Sequence, residues 1–377
     1  MRSQVKATTQ KDVARLAGVS QAVVSVVLGG NSGNIGVSQE VSERVISASK
    51  RLNYRPNLSA RSMRQGRFFN IGYFAATNNF GEVDFAPFRA GIYDAASEQD
   101  FHVMMIRLPS HLAKDPDAIP KTFRESHLDA MIINPLSVSM SDIKEVVGPG
   151  NTFPIAYLNV KESHGSVYVD DTLGARMATE HLYNQGMRKI AFFHSQTKGT
   201  PDHYSKQDRI EGYTSFMAEH GLVAQIKRLE ADIYEPAGPT PDELVSRNAI
   251  LDWLRGPNAP EAVFCYSDPE ALVLQQIMYE ANLRVPEDIA VIGYNDDEMC
   301  LLSSTPLSSI HIPRYEMAVA TVNMVISMIN NSGNGEVFRA PSIKFNPKLV
   351  VRKSTSLRRT PQTGSPVKAA SLSSHKA

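Results

Sequence analysis

The sequence predicts a small all-α headpiece of helix-turn-helix type followed by an α/β core of two similar lobes. Three observations carry that reading. Between Thr9 and Leu28 two short helical patterns are joined by a tight turn, and from Phe69 onward strands alternate with helices. Charge divides at the same boundary: residues 1–67 hold eleven Lys or Arg against three acids, a net of +8, whereas the 377-residue chain as a whole is neutral. A basic module joined to an acidic one directs only the first toward phosphate.

In the headpiece, Thr9 and Asp12 form a capping pattern, Val13, Ala14, Leu16 and Ala17 supply an apolar side, and Gly18 stops the helix. Ser20 caps a second helix to about Leu28, with Val23, Val24 and Val27 turned inward. Small residues at Ala14 and Ala17 permit close approach. A third helix starts at Ser38 and places Val41, Val45, Ile46 and Leu52 on one face, so three helices share one core. The glycine-rich connection at 29–36 follows no strand and precedes no Gly-Lys-Ser/Thr, so it does not read as a phosphate loop. Residues 57–66 form a short segment with Asn57 as cap, Gly66 as stop, and Arg61 and Arg64 between them.

In the core, strands are expected at Asn70–Ala75, His102–Arg107, Asp129–Asn134 and Pro154–Asn159, with a helix at Phe88–Gln99. Tyr168–Asp171 leads into a helix at Gly174–Gln185. The cycle then repeats with strands at Lys189–His194, near Ile226, at Ala262–Tyr266 and at Ile289–Tyr294. The accompanying helices are Arg209–His220, Pro241–Arg255 and Glu270–Ala281. Near-continuous apolar strands separated by helices imply parallel sheets covered on both faces. Paired lobes of this kind bind small ligands in the cleft at the carboxyl ends of their strands.

Cys265 and Cys300 have no paired spacing, the ten histidines include no His-x-x-x-His, and no metal or cofactor is expected. The first residues lack the apolar run of a signal peptide, and no stretch of about eighteen apolar residues could span a membrane, so a cytoplasmic location is expected.

Lys11–Ser20, Tyr54–Asn57 and Ala60–Arg64 closely resemble the headpiece and hinge of the lactose-repressor (LacI/GalR) family of bacterial transcription regulators, and the likeness continues through most of the chain. The resemblance implies a headpiece at 1–56, a hinge segment at 57–67 and a periplasmic-binding-protein-like core at 68–357. Lobe 1 would take about 68–160 and 309–340, and lobe 2 about 161–308 and 341–357, with crossings near Asn159, Ser308 and Ala340. The helix Tyr315–Asn330 would belong to lobe 1 and the dimer surface, and Phe345–Thr355 to the closing strand of lobe 2. The tail at 358–377 has no apolar period or leucine heptad, so disorder and a homodimer are expected.

The implied partner is double-stranded operator DNA. Gln21, Ala22 and Val26 match the family's base-reading positions, with Gln suited to adenine and Ala or Val to a thymine methyl. Many relatives carry Arg at the position of Val26, which otherwise reads as a core valine. Met63 stands where relatives place a leucine wedge for the minor groove, with Arg61 and Arg64 beside phosphates. Thr9, Ser20, Ser25, Tyr54, Asn57 and Ala60 complete the implied DNA face. In the cleft the resemblance places Arg209, Asp268 and Asn295, with Phe80, Asn159, Ser205 and Ser267 as neighbours. Their donors and acceptors suit a sugar or sugar derivative. Ser267 and Asn295 depart from the Asn and Asp common among relatives. A purely structural alternative pairs Arg209 with an acid such as Asp268 to hold the lobes.

The functional expectation is a DNA-binding repressor controlled by a cleft effector; relatives include both induced and co-repressed members. A transporter's solute-binding protein would need export and no basic headpiece. An enzyme is disfavoured because Asp170-Asp171 and Asn295–Glu298 lack a nearby His or nucleophile pattern, and read as caps and cleft hydrogen bonds. No catalytic residue is assigned.

Overall fold

A computed structural model describes residues 8–29, 36–55, 62, 66–78, 81–82, 86–108, 127–136, 138–148, 153–195, 202–229, 241–333 and 337–356. The readings for Asn57, Ala60, Arg61, Met63, Arg64, Phe80, most of the glycine-rich connection and the tail lie outside the described residues.

The headpiece comprises α1 (Gln10–Ala17), α2 (Gln21–Gly29) and α3 (Gln39–Arg51). The Thr9 backbone N–H and hydroxyl both donate to Asp12 Oδ2, at 3.0 and 2.6 Å. Gly18 closes α1 with φ +68°, a left-handed conformation that a Cβ disfavours. Ser20 Oγ accepts from Val23 N–H and Ser38 Oγ from Val41 N–H, at 3.3 and 3.4 Å. Val13, Ala14, Ala17, Val24, Val45 and Ala48 form the shared core. Two expected inward residues, Leu16 and Ile46, are instead each 42% exposed. Each lies on the flank of a narrower stripe, and Ala48 fills the place assigned to Ile46.

The core continues through β1 (Asn70–Asn78), β2 (Gly81–Glu82), α4 (Ala86–Glu98), β3 (His102–Leu108), β4 (Ala130–Asn134), α5 (Met140–Val147), β5 (Ile155–Leu158) and β6 (Ser166–Val169). There follow α6 (Asp171–Asn184), β7 (Ile190–Ser195), α7 (Tyr204–Glu219), β8 (Gln225–Leu229), α8 (Pro241–Arg255), β9 (Ala262–Cys265), α9 (Asp268–Glu280) and β10 (Ala290–Asn295). The last elements are α10 (Met299–Leu302), β11 (Ser308–His311), α11 (Arg314–Asn331), β12 (Ile343–Phe345) and β13 (Lys348–Val350).

Two sheets result. The first runs β12-β6-β5-β4-β1, with β3 and the short β2 also on β1; the second runs β13-β11-β10-β9-β7-β8. Pairing is parallel except for β1–β2 and β11–β13. Helix α11 packs against α4 and beneath β4, β5 and β6, which places it in lobe 1.

The strand partners correct the expected crossings. β6 pairs with β5 through Tyr157–Ser166 and Leu158–Val167, so the chain leaves lobe 1 at Asp170, after the expected Asn159. β11 belongs to the second sheet, and the return falls at Ile312-Pro313. β12 pairs with β6 in the first sheet, so the last crossing is at Asn346-Pro347 and not Ala340. Phe345 therefore ends a lobe 1 strand, and the closing strand of lobe 2 is β13, antiparallel to β11. Among the described residues no single helix is long and apolar enough to cross a membrane.

Candidate functional site

The second helix of the headpiece has two faces. Val24 is buried, and Val23, Val27 and Leu28 pack on the same core. On the other side Ser20, Gln21 and Ala22 are exposed, and Ser25 and Val26 are partly exposed. Val26 is partly exposed and lies outside the headpiece cluster. Gln21 Nε2 donates to Gln10 Oε1 across the turn at 3.2 Å, holding the side chain at the helix start. Thr9 is also exposed. Tyr54 is partly buried: its side chain packs on the headpiece core, and its backbone carbonyl accepts from Ser49 Oγ.

The second site lies where β7, β9 and β10 end, beside the first turns of α6, α7 and α9. Arg209 projects inward from α7 and is 4% exposed. Its Nε donates to Asp171 Oδ1 at 2.8 Å and its Nη1 to the Tyr266 carbonyl at 2.5 Å. The guanidinium lies 3.6 Å from the Tyr294 ring centroid and 4.6 Å from that of Tyr266. Burial works against the charge, but Asp171 and the two tyrosines hold Arg209 above its ordinary range. Gly174, one turn from Asp171, is required here because a Cβ would meet the Tyr294 hydroxyl at 2.1 Å.

Asp268 does not join this group. It is fully buried at the start of α9, where Oδ1 accepts from Ser309 Oγ at 2.6 Å and Oδ2 from Asp297 N–H at 2.8 Å. It therefore fastens the β10–α10 loop, with each oxygen accepting a hydrogen bond from within the lobe. Burial pushes its pKa up to about 6. The alternative pairing of Arg209 with Asp268 fails as well, since Asp171 holds that place. Arg209 and Asp171 sit on adjacent helices of the same lobe, so the pair does not bridge lobes. Ser267 caps α9 with Glu270, and Asn295 is partly exposed at the end of β10 with φ +117°.

Contacts between lobes lie beside this group. His203, at the cap of α7, places Nε2 2.8 Å from the Asn159 carbonyl, just after β5. Lys161 Nζ donates to Asp208 Oδ2 at 2.7 Å, and Tyr168 meets Tyr204 edge-on at 6.4 Å. Arg314 Nη1 donates to Asp297 Oδ1 at 2.8 Å. The sequence reading passed over His203 and did not single out Asp171 as the partner of Arg209. The Asp170-Asp171 pair was the one available signal: Asp170 does cap α6, accepting from Leu173 N–H at 3.0 Å. Among the described residues no group of three or more His, Cys, Asp or Glu could hold a metal ion.

A helix-turn-helix unit with an exposed second helix, joined to a two-lobed core with a polar cleft, defines a ligand-binding protein carrying a DNA-reading head. Residues 9–57 match the family described as bacterial regulatory proteins, lacI family, and residues 179–355 match the periplasmic binding protein-like domain. The two matches are those of a lacI-family headpiece and a periplasmic binding protein-like core on one chain. It is 27% identical over 351 residues to the HTH-type transcriptional repressor PurR of Haemophilus influenzae (strain PittEE), covering 92% of this chain and 98% of that protein. It is 29% identical over 326 residues to the ribose operon repressor of Escherichia coli (strain K12), covering 85% and 93%. The fold matches the lac repressor dimer bound to operator and the anti-inducer ONPF, with TM-score 0.70, 22% identity, and 93% and 99% coverage. It also matches a complex of the regulator CelR with cellobiose, with TM-score 0.61, 24% identity, and 92% and 99% coverage.

Proposed function

We propose that this protein is a dimeric, sequence-specific transcriptional repressor whose operator affinity is set by a small polyhydroxylated effector in the interlobe cleft. The observation that carries this is the row of exposed Gln21 and Ala22 and partly exposed Ser25 and Val26 on a helix fixed by its own buried face, on the same chain as a cleft holding a buried guanidinium. Such a helix enters the major groove with its first residues at base edges. The basic balance of the head supplies the phosphate attraction.

In the cleft, Nε and Nη1 of Arg209 are engaged within the protein, leaving Nη2 to donate to an effector oxygen. Asn159, Ser205, Ser267 and Asn295 are proposed to complete the site. An effector that favours one arrangement of the lobes shifts the population of dimers able to seat both heads on an operator. Relatives include a ribose operon repressor and a regulator bound to cellobiose, which places carbohydrates first among candidates.

The test is thermal unfolding of the full chain against a panel including ribose and cellobiose, followed by operator selection from random DNA with and without each stabilising compound. A ligand preferring the folded state raises the transition. Failure to enrich any DNA sequence would refute the regulator reading, and a stabilising ligand that leaves operator affinity unchanged would refute the control mechanism.

A further inference from the structure

A chain of hydrogen bonds joins the cleft of lobe 2 to the backbone of lobe 1. Tyr266 Oη lies 2.9 Å from Ser205 Oγ, Ser205 Oγ lies 2.8 Å from His203 Nδ1, and His203 Nε2 lies 2.8 Å from the Asn159 carbonyl. Directions follow from the chemistry of the ends. A carbonyl only accepts, so Nε2 carries the proton. In the neutral ring Nδ1 is then an acceptor, and it receives the Ser205 hydroxyl, with Ser205 N–H also directed at it from 3.4 Å. Ser205 has one proton to give, so Tyr266 must donate to Ser205. Burial pushes the His203 pKa down, which keeps the ring neutral with Asp171, Asp208 and Arg209 around it.

We infer that His203, as its Nε2–H tautomer, is an interlobe latch whose state is read by whatever occupies the cleft at Ser205 and Tyr266. Two features make the position suitable. Asn159 follows β5 with φ +60°, so its carbonyl is set by a left-handed residue on the lobe 1 side. Tyr266 also gives its carbonyl to Arg209 Nη1, so the cleft guanidinium and the latch share one residue. The neighbouring Lys161–Asp208 contact has a half-exposed lysine and contributes less, because solvent screens it.

A consequence for ligand chemistry rests on the effector reading given above. With its proton committed to His203, Ser205 can only accept, through its remaining lone pair. A ligand hydroxyl donating to Ser205 leaves the latch intact. A carboxylate or phosphate there would have to take the serine proton and break the bond to His203.

The latch is testable without DNA or effector, so its failure is separable from failure of the regulator reading. Spin labels at Glu145→Cys in α5 and Val223→Cys before β8 report the intrachain distance between lobes in full-length protein diluted with unlabelled chains. Both native cysteines are buried. His203→Ala should raise the population of longer distances about fivefold, the effect of losing one neutral hydrogen bond. His203→Gln, whose amide can still donate to Asn159, should restore the wild-type distribution. Imidazole 15N shifts of the wild type should show a protonated Nε2 and an unprotonated Nδ1 at neutral pH. A wild-type distance distribution in His203→Ala, or the Nδ1–H tautomer in the wild type, overturns the inference.

Discussion

Replacing Asp171 by Ala should unfold the core more readily than the loss of one hydrogen bond implies. The carboxylate is fully buried, and Arg209, which donates to it, is 4% exposed. Truncating the acid leaves a guanidinium that cannot discharge, held in a site from which water is excluded. Losing one member of such a pair costs about 3–5 kcal/mol. The Tyr294 ring at 3.6 Å offsets part of this, because a desolvated cation–π contact is worth about 2 kcal/mol. A net loss of about 1–3 kcal/mol is therefore expected. The decisive comparison is the double variant Asp171→Ala/Arg209→Met, which removes both charges and should recover most of the loss. Urea unfolding followed through tryptophan fluorescence of Trp253 in lobe 2 gives the midpoints, with the slope checked for constancy. Asp171→Ala within about 0.5 kcal/mol of wild type, or a double variant no more stable than the single, would refute the assignment of a buried charge pair.

Val26→Arg should change the half-site recovered from random DNA while leaving headpiece stability near wild type, since Val26 stands outside the core; unchanged half-sites would remove it from the reading face. Burial raises Glu270 to about 7 from 4.5, so the native core keeps a proton that the unfolded chain releases first. Stability from this source is full below about pH 4.5 and is lost as pH rises through about 7; Glu270→Gln should flatten that part of the midpoint-against-pH curve, and an unaltered slope would count against it. Gln275 is 6% exposed with neither amide atom hydrogen-bonded among the described residues, so Gln275→Met should raise the unfolding free energy by about 1 kcal/mol and the urea midpoint with it; a lower midpoint would show that the amide is satisfied.

The elements most legible in the sequence were those whose side chains are buried on both faces. Ala130–Asn134 and Ala262–Cys265 are buried throughout, and each appears as an unbroken apolar run. β12 offers no such signal. Ile343 and Lys344 are exposed and Phe345 partly so, because the strand lies at the edge of its sheet and is defined by backbone pairing to Val167 and Val169. The last crossing was misplaced for this reason. Arg209 was legible as a cleft residue through family likeness, but its partner was not. Asp171 and Asp268 are both acids at the start of a helix, and only the tertiary packing of α6 against α7 decides which reaches the guanidinium. His203 gave no sign in the sequence, since its role depends on a carbonyl 44 residues away.

Threading the core three times between its sheets has a consequence for biosynthesis. The first sheet receives its edge strand only when Ile343–Phe345 has been made, and the second only with Lys348–Val350. The headpiece cluster, whose described members lie between Val13 and Tyr54, has no such dependence. A ribosome would thus release a head able to fold early, followed by two lobes that wait for the same short segment. A frameshift before residue 343 would strip both sheets at once and expose β6 and β11 as open edges, the kind of surface that seeds aggregation. Such truncated chains should accumulate as insoluble protein with an intact N-terminal fragment, and not as half-active cores.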